Sequence, residues 1–157
     1  MSGQPRRHVL WLTALLAVGC KLDRRRAIDL VAPDSMFPDE DESTADFQET
    51  ESGLAYRVIT PGNQRKRPKL TSTVTVHYRG WLDDKTEFDS SYRNGKPLTR
   101  KVSQVVKGWT EALLLMSEGE VVELIIPPEL GYGERGMPPV IPPNATLHFR
   151  IELLEIR

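Results

Sequence analysis

Cysteine is almost absent from this sequence. Its one cysteine, Cys20, has no partner in the chain, so no intramolecular disulfide can staple the fold. The histidines His8, His77 and His148 are far apart in sequence, and no cysteine–histidine cluster has the spacing of a zinc site. No metal and no other cofactor is therefore expected. An excess of one charge is lacking too: 21 Lys+Arg stand against 22 Asp+Glu, a formal net charge of -1, which removes the overall case for a nucleic-acid partner. No long dimerisation helix is visible in the pattern, and a monomer is expected. What the chain has in quantity is turn formers, with 12 prolines and 11 glycines in 157 residues. That length fits one domain with extensions.

The amino terminus carries an address rather than a fold. Arg6 and Arg7 precede an apolar run from Val9 to Val18, broken only by Thr13 and followed by Gly19. The run is too short to span a bilayer and has the layout of a secretory signal. It ends in Ala17-Val18-Gly19-Cys20, which resembles a bacterial lipobox. That resemblance implies a lipoprotein-type signal peptide over residues 1–19, lipidation at Cys20, and stable membrane attachment by several acyl chains. Lys21 follows the cysteine where an aspartate would suggest inner-membrane retention, so the expected place is the outer membrane, facing the periplasm.

Residues 20–52 read as a tether whose charge changes sign. Lys21, Arg24, Arg25 and Arg26 cluster beside the lipid site. From Asp34 to Ser52 there are eight acidic residues (Asp34, Asp39, Glu40, Asp41, Glu42, Asp46, Glu49 and Glu51) and no basic one. Such a segment cannot bury enough apolar surface to fold and is expected to be extended and disordered. From Gly53 onward the balance is mildly basic, 15 Lys+Arg against 12 Asp+Glu.

The folded part, residues 53–157, is organised around Val105-Val106-Lys107-Gly108-Trp109 and the helix that follows. Trp109, Ala112, Leu113 and Met116 fall at i, i+3, i+4 and i+7, so they share one helix face. Gly119 is expected to stop that helix within about three turns. Leu54, Tyr56 and Val58 alternate with Ala55 and Arg57, as in an edge strand. Thr71 to Leu82 is the longest strand pattern, with Val74, Val76 and Tyr78 on one face and Thr75, His77 and Arg79 on the other. Glu87 to Ser91, Val121 to Ile126 and Leu147 to Leu153 complete about five strands, and Pro127 to Pro143 is a long apolar loop. The fold class is α+β: an antiparallel sheet against one short helix.

Six segments then stand in order. They are Val76-His77-Tyr78-Arg79-Gly80, Phe88-Asp89-Ser90-Ser91, Val105-Val106-Lys107-Gly108-Trp109, Pro127 to Gly133, Ile141 to Leu147, and Phe149 to Leu154. Together they resemble the FKBP-type peptidyl-prolyl isomerases, the bacterial secreted members most. The resemblance implies a twisted antiparallel sheet wrapped around the helix, and acceleration of rotation about Xaa–Pro bonds in exported proteins. It implies Trp109 as the floor under the prolyl ring, with Tyr78, Phe88, Val105, Val106, Ile141 and Phe149 as walls. Tyr132 would offer its hydroxyl to a substrate carbonyl, the Val106 N–H would hold another, and Asp89 would stand beside the twisting amide. Macrolide inhibitors are expected in the same pocket. Leu98, Arg100, Met137 and Pro139 depart from the family pattern and bear on substrate preference at the rim. The alternative is a non-catalytic chaperone or binding module for Pro-containing segments, in which the same aromatic residues grip without turnover.

Overall fold

The computed structural model describes residues 46–157. The signal peptide, Cys20, the basic cluster and the acidic stretch up to Ala45 lie outside the described residues. Within them the strands are β1 (Gln48–Glu49), β2 (Ala55–Thr60), β3 (Thr73–Trp81), β4 (Glu87–Ser90), β5 (Leu98–Lys101), β6 (Val121–Ile126) and β7 (Leu147–Ile156), with one α-helix, α1 (Lys107–Leu115). All strand pairs are antiparallel, in the order β1-β2-β6-β7-β3-β4, with β5 also paired to β3.

The longest strand shows how the pattern becomes structure. Val74, Val76 and Tyr78 of β3 are buried, while Thr75, His77 and Arg79 between them are only partly so, as a pleat with one covered face requires. One edge of β3 pairs with β7 along most of its length. The other edge is shared: β5 takes Thr73 to Val76 and β4 takes Arg79 to Trp81. Ser91 fills the gap left at Tyr78. Its hydroxyl accepts the Tyr78 N–H at 2.8 Å, and its own N–H donates to the Tyr78 carbonyl at 3.0 Å. A buried strand edge is thus left without an orphaned N–H.

Helix α1 lies against the same face. Trp109, Ala112, Leu113 and Met116 are all in the buried core, as their spacing predicts. Full burial of a side chain the size of Leu113 or Met116 contributes about 1.5–3 kcal/mol, and the single methyl of Ala112 well under that. Gly108 sets the approach of helix to sheet: a Cβ there would stand 2.6 Å from Ile126 Cγ2, so only glycine lets α1 sit this low on β6. The helix ends earlier than Gly119. Met116 already has extended backbone, and the buried Glu120 carboxylate accepts both the N–H and the hydroxyl of Ser117, at 2.9 and 2.7 Å. Gly119, with φ +84, serves the turn into β6.

Two strands exceed the five that alternation predicts. β5 carries one apolar residue in four and becomes a strand only through its pairing with β3. β1 falls inside the acidic stretch, so residues 46–52 are not all tether, and β2 is not the sheet edge. Gly53, at φ +87, lets the chain turn back, with the Thr50 N–H donating to Leu54 and the Gly53 N–H to Thr50. Gln48 then pairs with Tyr56 and Glu49 with Ala55.

Candidate active site

The inner face of the sheet, the start of α1 and the long loop enclose a cavity of about 430 Å³. β3 supplies Tyr78, β4 supplies Phe88 and Asp89, and β5 supplies Leu98 and Arg100. Gln104, Val105 and Val106 come from the entry to α1, Trp109 from its first turn, Tyr132 and Met137 from the loop, and Phe149 from β7. Every residue expected at the site lines this cavity except Ile141. That side chain is 1 % exposed and belongs to the core. The physical reason is the tight turn Met137–Ile141: each residue's N–H donates to the other's carbonyl, at 2.8 and 3.0 Å. Val140 is left outside and Ile141 is tucked beneath, while Met137 reaches the cavity. Of the four residues that depart from the family pattern, Leu98, Arg100 and Met137 line the cavity and Pro139 does not. Gln104 was not foreseen; its one signal is its place directly before Val105-Val106.

Aromatic rings build the floor. Trp109 is 5 % exposed. Its ring meets Tyr78 and Phe149 edge-on, at centroid separations of 5.1 Å and angles of 79° and 83°. Phe88 meets Phe149 at 5.4 Å and 87°. Edge-to-face pairs at such distances add about 0.5–1.5 kcal/mol each beyond their buried area. Gly80 makes room for the floor: a Cβ there would lie 2.6 Å from Phe149 and 2.8 Å from Phe88.

The polar groups divide into saturated and free. Asp89 is occupied: one carboxylate oxygen accepts the Tyr78 hydroxyl at 2.5 Å, and the other accepts the Ser90 N–H at 2.9 Å and the Asn94 amide at 3.4 Å. Burial, then the hydrogen bond to Asp89, raises the Tyr78 phenol above its ordinary value of 10.0. Burial, then the nearby Asp89 charge, raises that of Tyr132. Both phenols are therefore neutral donors at physiological pH. The Tyr132 hydroxyl, on a side chain 37 % exposed, has no partner among the described residues. Nor does the Val106 N–H, which precedes the first turn of α1, where helix N–H groups lack intrahelical acceptors. The buried Trp109 indole N–H is also without a partner. An apolar, ring-walled cavity with unpaired donors at its edge suits a flat apolar ring flanked by carbonyls. It offers no activated nucleophile among its lining residues.

Comparison with known proteins agrees. The profile of the FKBP-type peptidyl-prolyl cis-trans isomerases matches residues 64–154. The FK506-binding protein 1 of Rhizopus delemar is 47% identical over 106 residues, 66% of this chain and 98% of that protein. The FKBP-type 22 kDa peptidyl-prolyl cis-trans isomerase of Escherichia coli is 46% identical over 133 residues, 85% of this chain and 64% of that protein. Among solved structures, FkpA from Escherichia coli superposes with a TM-score of 0.68 at 44% identity, over 71% of this chain and 51% of FkpA. The chain thus spans nearly all of the fungal relative and about half to two thirds of these bacterial ones.

Proposed function

The chain belongs to the FKBP-type peptidyl-prolyl cis-trans isomerases, and from that premise we propose that it speeds rotation about Xaa–Pro bonds in exported polypeptides by binding the twisted amide in the aromatic cavity. An Xaa–Pro bond rotates across a barrier of roughly 18–20 kcal/mol and takes tens to hundreds of seconds unaided. No covalent bond need change. Twisting removes amide resonance, so the carbonyl carries less charge separation and sits more easily among rings than the planar amide does. Hydrogen bonds that fit only the twisted geometry add to that difference.

The observation that carries this reading is the cavity floored by Trp109 with the Tyr132 hydroxyl and Val106 N–H unpaired beside it. In the proposed mechanism the prolyl ring rests on Trp109 between Tyr78, Phe88 and Phe149. Tyr132 and the Val106 N–H hold carbonyls on either side. Asp89 fixes Tyr78 and presents a carboxylate near the rotating bond, and Val105 closes the wall. FK506-type macrolides are proposed to compete for the same space, as the name of the fungal relative suggests.

We propose further that residues 1–19 are a lipoprotein-type signal and that Cys20 carries the lipid. Residues 20–52 would be the tether, shortened at its end by β1, so that the isomerase domain stands off a bacterial envelope membrane as a monomer, at the outer membrane and facing the periplasm. Cys20→Ser tests the lipid separately, because unchanged mass and unchanged membrane fractionation would refute it. The isomerase reading is tested by exchange spectroscopy on Ala-Leu-Pro-Phe. Exchange should rise well above background, fall with FK506, and fall in Asp89→Ala. Gripping of the peptide with no acceleration would instead support the non-catalytic binding module.

A further inference from the structure

Two charged side chains line the cavity, Asp89 and Arg100, and they differ in what they already hold. Asp89 accepts three donors of its own protein. Arg100 has no carboxylate partner among the described residues; its one hydrogen bond is a long 3.5 Å contact to the carbonyl of neighbouring Thr99. Its position follows from register. Leu98 pairs with Val76 and Arg100 with Val74, so both lie on the face that carries the core, while Thr99 faces out and its hydroxyl meets that of Thr75 at 3.1 Å. Alternation therefore puts a guanidinium where the pleat would take an apolar side chain.

We infer that Arg100 sets substrate preference, drawing the cavity towards prolines that have an acidic residue directly before or after them. This rests on the isomerase reading and specifies its substrates. The bound polypeptide must continue past the prolyl ring over the rim. A carboxylate one residue from the proline comes within reach of the only uncommitted charge in the cavity lining, whereas a cationic residue there meets repulsion. A guanidinium is well suited to the task, since its planar fork can grip a carboxylate with two parallel donors. Its exposure limits the gain to a few-fold, and salt should erase it.

The other use of an inward charge on an edge strand is to prevent edge-to-edge pairing, and the experiment separates the two. The full chain is given the peptides Ala-Glu-Pro-Phe, Ala-Gln-Pro-Phe and Ala-Lys-Pro-Phe, and a second set with the varied residue after the proline. Exchange rate and dissociation constant are read for each, so the ranking is obtained whether or not turnover is seen. In the wild type the Glu peptide should be favoured over the Gln peptide about 3- to 5-fold at low salt, in at least one of the two positions. The ratio should approach one at high salt. Arg100→Glu should reverse the order, favouring Lys over Gln. Because each ratio is taken within one variant, a general loss of activity does not disturb it. Ratios near one in both positions, or the same ranking in Arg100→Glu as in the wild type, would overturn the inference and leave edge protection as the role. Absence of acceleration for every peptide, with the binding order intact, would count against the isomerase reading and not against Arg100.

Discussion

The two faces of this sheet are made by alternate residues of the same strands, and they treat polar groups in opposite ways. On the outer face, Arg57 of β2, Glu123 of β6, Arg150 of β7 and Arg79 of β3 stand in register as one row. Glu123 joins its two neighbours, receiving Arg57 at 2.5 Å on one oxygen and Arg150 at 2.5 Å on the other. Arg79 reaches Glu87 at 2.8 Å. One row on, His77 stacks on Tyr92 at 4.5 Å and the Tyr92 hydroxyl donates to Glu152. The charged groups of the outer face are spent on one another, and its one buried donor without a partner among the described residues is the Trp81 indole N–H. The inner face carries rings and aliphatics, and around the cavity it lines, the hydroxyl of Tyr132 from the loop, the N–H of Val106 before α1 and the guanidinium of Arg100 on β5 lack strong partners. A face whose charges pair with one another contributes stability; an apolar hollow ringed by unpaired donors is built to receive something.

That contrast can be broken by exchanging what each face loses. Trp109→Ala should do the most damage, removing the cavity floor and costing about 3 kcal/mol of stability together with most of the turnover. Exchange rates measured at a temperature where the variant is still folded check this. Glu123→Ala should cost about 3 kcal/mol of stability as well, because Arg150 is left buried without its carboxylate. Its kcat/KM per folded molecule should stay at the wild-type value, read by denaturant unfolding beside the exchange assay. Tyr132→Phe is the smaller mirror image. It should lower kcat/KM by roughly 2- to 10-fold, the worth of one hydrogen bond, with no change in the unfolding midpoint.

The smallest expected effect is a response to alkali that both faces share. Tyr78 on the inner face and Tyr92 on the outer face are raised above 10.0, each by burial first and then by its carboxylate, Asp89 or Glu152. A phenol that holds its proton more tightly when folded contributes stability that is fully present below pH 10. That contribution is lost as the pH rises through the folded value. Unfolding free energy should therefore be insensitive to these groups up to about pH 10 and decline above it. Tyr78→Phe and Tyr92→Phe should each reduce the steepness of that decline.

How far the sequence reveals this arrangement depends on where the signal lies. The buried face of α1 was legible because a helix that packs on a sheet must repeat its apolar residues at 3.6, and Trp109, Ala112, Leu113 and Met116 do. The two faces of β3 were legible from strict alternation. β5 was not, because Leu98-Thr99-Arg100-Lys101 has no strand pattern of its own and is ordered by Val74 and Val76 of its neighbour. β1 was hidden by an acidic composition that suits a tether, and only the turn at Gly53 brings it back to β2. The site itself was legible through the resemblance, whose motifs carry Tyr78, Asp89, Trp109 and Phe149. Ile141 was expected on the cavity wall, and sequence order cannot say that the Met137–Ile141 turn carries its side chain past the cavity into the core, where it is 1 % exposed. Ser91 went unremarked as the group that seals β3, since a serine after a strand reads as an ordinary turn.

The most direct test of the account uses the tryptophans as opposed reporters. Trp109 floors the inner cavity, whereas Trp81 lies on the outer face, stacked at 6.0 Å on His148. A proline-containing peptide is titrated into the nitrogen-labelled full chain while the indole and backbone N–H signals are followed. The account predicts that the Trp109 indole and the Val106 amide shift together and saturate, that Trp81 stays in place, and that exchange peaks appear between the cis and trans peptide. A shift at Trp81 with Trp109 and Val106 unmoved would contradict it, because the polypeptide would then be bound by the outer face and not by the aromatic cavity.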